Sequence, residues 1–284
     1  MRVTHAWTDD AATIHLSGLQ RPVRMLHVTD VHCALLDERD ARHEDACRDY
    51  CQRFAGNERI LAERFNEARE LGVDLVALTG DIMHFPSRAL VDYLARQMEQ
   101  LQVPVLFTCG NHDWRFPGLS DEEAVREQWW PRLDPLHPGR AGCAACEVNG
   151  IQFLQVDDST YQVDDEQLAW VRERLATGRP TVVLSHIPLS LPTLRAPTID
   201  RWKAPILIGD PDWDQESRER WKAGADRPTT LQYVQLLAGA ENLVAVFCGH
   251  VHFPHADAVN PRVVQYVGGL GIEGARRLVE FRPL

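Results

Sequence analysis

Met25-Leu26-His27-Val28-Thr29-Asp30-Val31-His32 is a short apolar run that ends in a carboxylate and an imidazole two residues apart. Alternation along a strand sends residues i and i+2 to one face. The spacing therefore predicts that Asp30 and His32 point the same way, where a strand gives out into a loop. An oxygen ligand beside an imidazole is half of a divalent-metal site. A single Asp-x-His arises by chance, so the weight comes from what recurs downstream. Leu75 to Thr79 is a second apolar run, closed by Gly80-Asp81. Val103 to Cys109 is a third, closed by Gly110-Asn111-His112-Asp113. Thr181 to Ser185 ends in His186, and Leu243 to Cys248 ends in Gly249-His250-Val251-His252. Five β-rich runs thus deliver metal-type ligands at their C-terminal ends, where α/β sheets place their sites.

Outward from these runs the pattern alternates strand and helix, which predicts a layered α/β fold. A hairpin is expected in residues 1–24. Helical spacing over 58–71 (Ile60, Leu61, Phe65, Ala68, Leu71) stops at Gly72, and over 89–101 it places Leu90, Leu94, Met98 and Leu101 on one face. A strand at 150–156, a helix at 166–175 and a helix at 229–238 continue the alternation. Residues 263–267 and 277–281 read as closing strands around a Gly-rich turn. Two stretches interrupt it: polar residues 33–57, expected as a helical insertion over the site, and Pro-bearing 188–228, which lacks clean periodicity. A loop that long in a compact domain is functional or disordered. Residues 1–284 are read as one domain with these two cap-like insertions, and a Trp- and Pro-rich loop is expected from 114 to about 140.

The chain has 284 residues, 44% hydrophobic and 25% charged, as in ordinary soluble proteins. No apolar run approaches the roughly 18 residues of a membrane span, and the first residues lack the apolar core of a signal peptide. A cytoplasmic location is the expectation. The seven scattered cysteines fit a reducing compartment; Cys143-Ala-Ala-Cys146 has no second such pair to complete a zinc site, so these read as plain thiols. A formal net charge of -11 argues against nucleic acid as a partner, since such binding relies on clustered cations. Homo-oligomer formation is left open.

The ordered set D-x-H, G-D, G-N-H-D, H and G-H-x-H resembles the calcineurin-like metallophosphoesterase superfamily, with every ligand position filled. That resemblance implies a four-layer α/β/β/α sandwich of two mixed sheets and a dinuclear centre of Mn, Fe or Zn-class ions. It implies that Asp30, His32 and His252 hold one metal, that Asn111, His186 and His250 hold the other, and that Asp81 bridges them. Two divalent ions about 3.5–4 Å apart need such a shared anionic ligand. A water between the ions, its pKa lowered towards about 7, would be the nucleophile. His112 would stabilise the transition state or protonate the leaving group, with Asp113 orienting its ring.

Val156-Asp157-Asp158-Ser159, followed by Glu166 to Trp170, resembles a segment of the branch containing class III cyclic nucleotide phosphodiesterases and glycerophosphodiesterases; it is expected to pack the second sheet without reading substrate. The implied function is hydrolysis of a small phosphodiester. A phosphomonoesterase, a nuclease and a non-catalytic scaffold of the same fold are the alternatives. His84, Arg115, Trp114, Trp202 and Trp213 are candidate substrate contacts. Six of the eight tryptophans lie in loops after ligand runs, either as an aromatic-walled cap or as cement for long loops.

Overall fold

The apolar runs become strands because each can be buried on both faces, which favours parallel pairing beneath covering helices. A computed structural model describes residues 1–119, 123–137 and 142–284. In chain order the elements are β1 (Val3–Trp7), β2 (Ala11–Leu16), β3 (Val23–Val28), α1 (Glu44–Arg53), α2 (Asn57–Leu71), β4 (Leu75–Thr79), α3 (Arg88–Gln100), β5 (Val105–Thr108) and α4 (Glu123–Trp129). The second half contributes β6 (Cys143–Val148), β7 (Ile151–Val156), α5 (Asp165–Ala176), β8 (Thr181–Leu184), α6 (Pro192–Trp202), α7 (Gln215–Arg220) and α8 (Pro228–Gly239). β9 (Leu243–Cys248), β10 (His255–Asn260), β11 (Val263–Val267) and β12 (Arg277–Pro283) complete the chain.

One sheet runs β1-β2-β12-β3-β4-β5 and the other β10-β11-β9-β8-β7-β6. Both are mixed: β3, β4 and β5 are parallel, as are β7, β8, β9 and β11, while β12 meets β3 antiparallel. Between the sheets lie Met25, Leu75, Leu106, Phe153, Val182, Phe247 and Phe281. The outer face of the first sheet is closed by Leu61 and Phe65 of α2 and Leu90 and Leu94 of α3. Leu168 and Val171 of α5 and Tyr233 and Leu237 of α8 close the second. The result is the expected four-layer α/β/β/α sandwich.

The helices start where the sequence supplies caps. The Ser87 side chain accepts the Leu90 N–H ahead of α3, and Asp164 and Gln167 form a reciprocal capping box at α5. Two elements escape the sequence pattern. Residues 188–228 are not a structureless loop but carry α6 and α7. Pro192 starts α6 and Pro197 sits inside it, so the periodicity is interrupted although the helix persists. The expected Trp- and Pro-rich loop contains α4 and a 3-10 helix, Trp130–Leu136; its residues 120–122 and 138–140, with 141 beyond, lie outside the described ones. No helix among the described residues is long and apolar enough to cross a membrane.

Candidate metal centre

The ligand residues lie beyond the strand ends, on backbone that turns left-handed. Asp30, His32, Asp81, His250 and His252 have φ of 54°, 49°, 51°, 72° and 62°. Strand alternation therefore does not aim Asp30 and His32 as the sequence predicts, because β3 has ended at Val28. Instead the loops pair with one another: the Asp30, His32 and Cys33 N–H groups donate to the carbonyls of Gly80 (3.0 Å), Asp81 (2.8 Å) and Ile82 (2.8 Å). Left-handed conformations cost non-glycine residues roughly 1–3 kcal/mol each and collect at functional sites. Glycine is required where the loops touch. A Cβ on Gly110 would overlap the Asp81 carboxylate, and one on Gly249 would overlap Thr29 Oγ1 and the Asp30 carboxylate.

Three clusters result among the described residues, Asp30–His32–Asp81–His252, Asp81–His186–His250 and an all-imidazole group His32–His84–His112, each with one ligand atom per residue inside 4.8 Å. Asp81 belongs to the first two. His186 Nε2 lies 3.4 Å and His32 Nε2 3.8 Å from Asp81 Oδ2; His252 Nε2 lies 3.3 Å from Asp30 Oδ1 and 3.3 Å from His32 Nε2. Asn111 lies next to His112, whose backbone N–H donates to Asp81 Oδ1 at 2.9 Å.

The donor set fits divalent cations. His186 Nδ1 donates to the Thr79 carbonyl at 2.8 Å, which leaves Nε2 to carry the lone pair when the ring gives up its second proton to a metal. That Nε2 and Asn111 Oδ1 are buried and have no hydrogen-bond partner. Burial opposes charge on His186, yet the Asp81 and Asp30 carboxylates raise its pKa to about 10. Burial and then the His186 charge lower His250 to about 3. Against burial, His186 and His112 hold Asp81 well below the ordinary carboxylate range. The cavity thus favours positive charge at its centre, and nitrogen and oxygen donors without thiolates suit divalent cations.

Around this centre several residues take roles the sequence does not predict. Asp113 does not orient His112; its carboxylate accepts the N–H groups of Asp81, Met83 and Gly110, each at 2.7 Å, and so ties two ligand loops together. His84 meets His32 Nδ1 at 3.2 Å and stacks on the His112 ring, with centroids 4.4 Å apart. Tyr50 of α1 and Phe54, just past its end, pack on His84, which is how the 33–57 segment reaches the site.

Asp158 accepts the N–H groups of His186 (2.9 Å) and Ile187 (3.1 Å), and the Tyr161 hydroxyl meets His250 Nε2 at 3.0 Å. Ser159 and Tyr161 also line a cavity beside the centre, so the segment after β7 does more than pack the second sheet. The signal was an Asp-Asp pair at a strand end, the same signature as the ligand runs.

The tryptophans divide. Trp129 and Trp130 are buried among Phe116, Arg132 and His137 as cement. Trp213 is also buried, packed edge-on to Tyr161, and so lies behind the site wall. Trp114 is buried but lines the cavity, as does Trp221. Trp202 donates to the Val251 carbonyl at 2.8 Å and packs its ring edge-on against His252, 5.1 Å between centroids. Arg115 lines the same cavity and donates through Nε to the Asn111 carbonyl at 3.0 Å.

Comparison with known proteins finds that the calcineurin-like phosphoesterase family model matches residues 23–254. A Psychrobacter arcticus protein described as "Probable cyclic nucleotide phosphodiesterase" is 25% identical over 173 residues, which cover 58% of this chain and 59% of that protein. The chain thus matches less than two thirds of that relative's length. A dimetal phosphatase from Danio rerio superposes with a TM-score of 0.56 at 12% identity, over 90% of this chain and 91% of that one. A purple acid phosphatase from yellow lupin (Lupinus luteus) seeds gives 0.53 at 14% identity, over 93% and 46%. At these identities the two structures speak to the fold alone.

Proposed function

The chain belongs to the calcineurin-like phosphoesterase family, and from that premise we propose that it hydrolyses small phosphodiesters at a two-metal centre. The observation that carries the proposal is the pair of clusters sharing Asp81, buried except for the half-buried His252. Asp30, His32 and His252 would hold one ion, Asn111, His186 and His250 the other, with Asp81 between. When bound, the ions would polarise the phosphoryl oxygens and acidify a water towards neutral pH.

The chain's own residues do the rest. His112, one face stacked on His84 and its backbone tied to Asp81, is positioned to hand a proton to the departing oxygen. Burial holds its pKa well below the ordinary histidine value, so the negative charge of the bound phosphoester would have to raise it for the ring to carry that proton. Arg115 is placed to bind a non-reacting phosphoryl oxygen, and the rings of Trp202 and Trp221, 5.8 Å apart and nearly perpendicular, narrow access beside His252. The diester preference draws on the relative from Psychrobacter arcticus. All seven cysteines are free thiols, which supports a reducing compartment such as the cytoplasm.

The test is hydrolysis of bis(p-nitrophenyl) phosphate beside p-nitrophenyl phosphate by metal-stripped protein given Mn. The expected result is Mn-dependent cleavage of the diester, reduced roughly 10²–10⁴-fold in His112→Ala. Cleavage of the monoester alone would replace the reading with a phosphatase, and cleavage of plasmid DNA with a nuclease.

A further inference from the structure

Beyond His112 the site opens into two cavities of about 260 and 190 Å³ that share His112, Arg115 and Lys222 as walls. The first also takes Arg220 and Trp221, at the end of α7 in the 188–228 segment, and Trp114 from the loop after β5. None of the described residues lining either cavity is a carboxylate, in a chain whose formal net charge is -11. The lining instead concentrates hydrogen-bond donors. Trp114 and Trp221 each keep a buried indole N–H without a partner, and an indole nitrogen can only donate. Arg220 is exposed, and its ion pair with Glu216 spans 3.8 Å between two solvated side chains, a contact weak enough to exchange.

We infer that the cavity beyond His112 binds a second anionic group, a carboxylate or a phosphate, carried on the leaving-group side of the substrate. The inference rests on the phosphoester-hydrolase reading above. His112 forms a wall of both cavities, so a leaving group protonated by it extends into them. There Arg220 and Lys222 supply cations, Trp114 and Trp221 supply N–H donors, and the ring of Trp221 supplies a flat wall for the part of the substrate that joins the two anions. A substrate ending in an apolar group would leave the Trp114 and Trp221 N–H groups without an acceptor, which is the costly arrangement for buried polar groups, and a neutral polar end would forgo the attraction of the cations.

Binding decides this without any turnover. Mn-loaded protein is titrated by calorimetry with 4-carboxybenzylphosphonate and with its neutral isostere 4-carbamoylbenzylphosphonate, neither of which has a cleavable ester bond. The carboxylate should bind about ten-fold more tightly, and the preference should fall below about two-fold in the Arg220→Gln/Lys222→Met double variant. Equal affinities in the wild type, or a preference that survives in the double variant, would overturn the inference. Should the double variant fail to fold, the wild-type comparison decides alone. Absence of hydrolysis of any ester would count against the proposed function and leaves this comparison intact.

Discussion

At the scale of single residues, the centre depends as much on what holds the ligands as on the ligands. Asp113 is fully buried, and burial together with the Asp81 charge raises its pKa to about 8. Its three backbone donors nonetheless all need an acceptor there. Asp113→Asn would set an amide N–H against at least one backbone N–H, at a cost of about 2 kcal/mol. A thermal melt should show that loss together with weakened Mn binding, whereas His112→Ala should lose turnover while keeping its metal. If Asp113→Asn melts and binds Mn like the wild type, the bracing role is wrong.

The ligand types were legible in the sequence because carboxylates and imidazoles at five strand ends are a chemical signature. Side-chain direction was not. Asp113 follows His112 directly, yet it turns to the backbone of another loop, and Tyr161 gains its role only through a left-handed backbone (φ 63°) that no spacing announces.

At the scale of elements, the strands and the two long helices of the first half were readable from apolar runs and 3.6-residue spacing. β6 and β10 were not, because both are edge strands with partly exposed, small or polar side chains. α6 was hidden by its internal proline. What the strands position is a set of loop contacts close enough to exclude a Cβ. Gly249→Ala places a methyl group against Thr29 and Asp30, and the loop must move or Asp30 must swing away. Overpacking of this kind costs typically 1–3 kcal/mol. The variant should bind one Mn less tightly and lose most hydrolysis while its far-UV spectrum is unchanged. Wild-type affinity for both ions would show that the loops do not need to approach so closely.

At the scale of the whole molecule, many histidines are buried neutral, and this sets how the metal-free protein responds to acid. Burial lowers His27 and His84 to about 3 and His137 to about 4, and burial with the His186 charge lowers His250 to about 3. Each has a folded pKa below the unfolded value of about 6.5. Its contribution is present above pH 6.5 and is lost as the pH falls towards 4, because only the unfolded chain takes up the proton.

Asp113, raised to about 8, and Asp158, raised by burial to about 6, act in the opposite sense, since their folded forms bind protons first. Four histidines against two carboxyls give a net loss between pH 6.5 and 4. Each unopposed group contributes about 1.4 kcal/mol per pH unit. The melting temperature of metal-stripped protein should therefore fall steeply over that window, and a flat or rising profile would show that these histidines are not held neutral.

The central claim is that one chain holds two ions through a shared Asp81 and needs both for hydrolysis. Its most direct test is Mn bound per chain at equilibrium dialysis, measured alongside the rate of bis(p-nitrophenyl) phosphate cleavage at each free Mn concentration. Two Mn per wild-type chain are predicted, with hydrolysis appearing as the second site fills, and Asp81→Ala should bind both ions more weakly and show no cleavage. Saturation at one ion with full hydrolysis, or two ions bound as tightly in Asp81→Ala as in the wild type, would contradict the account.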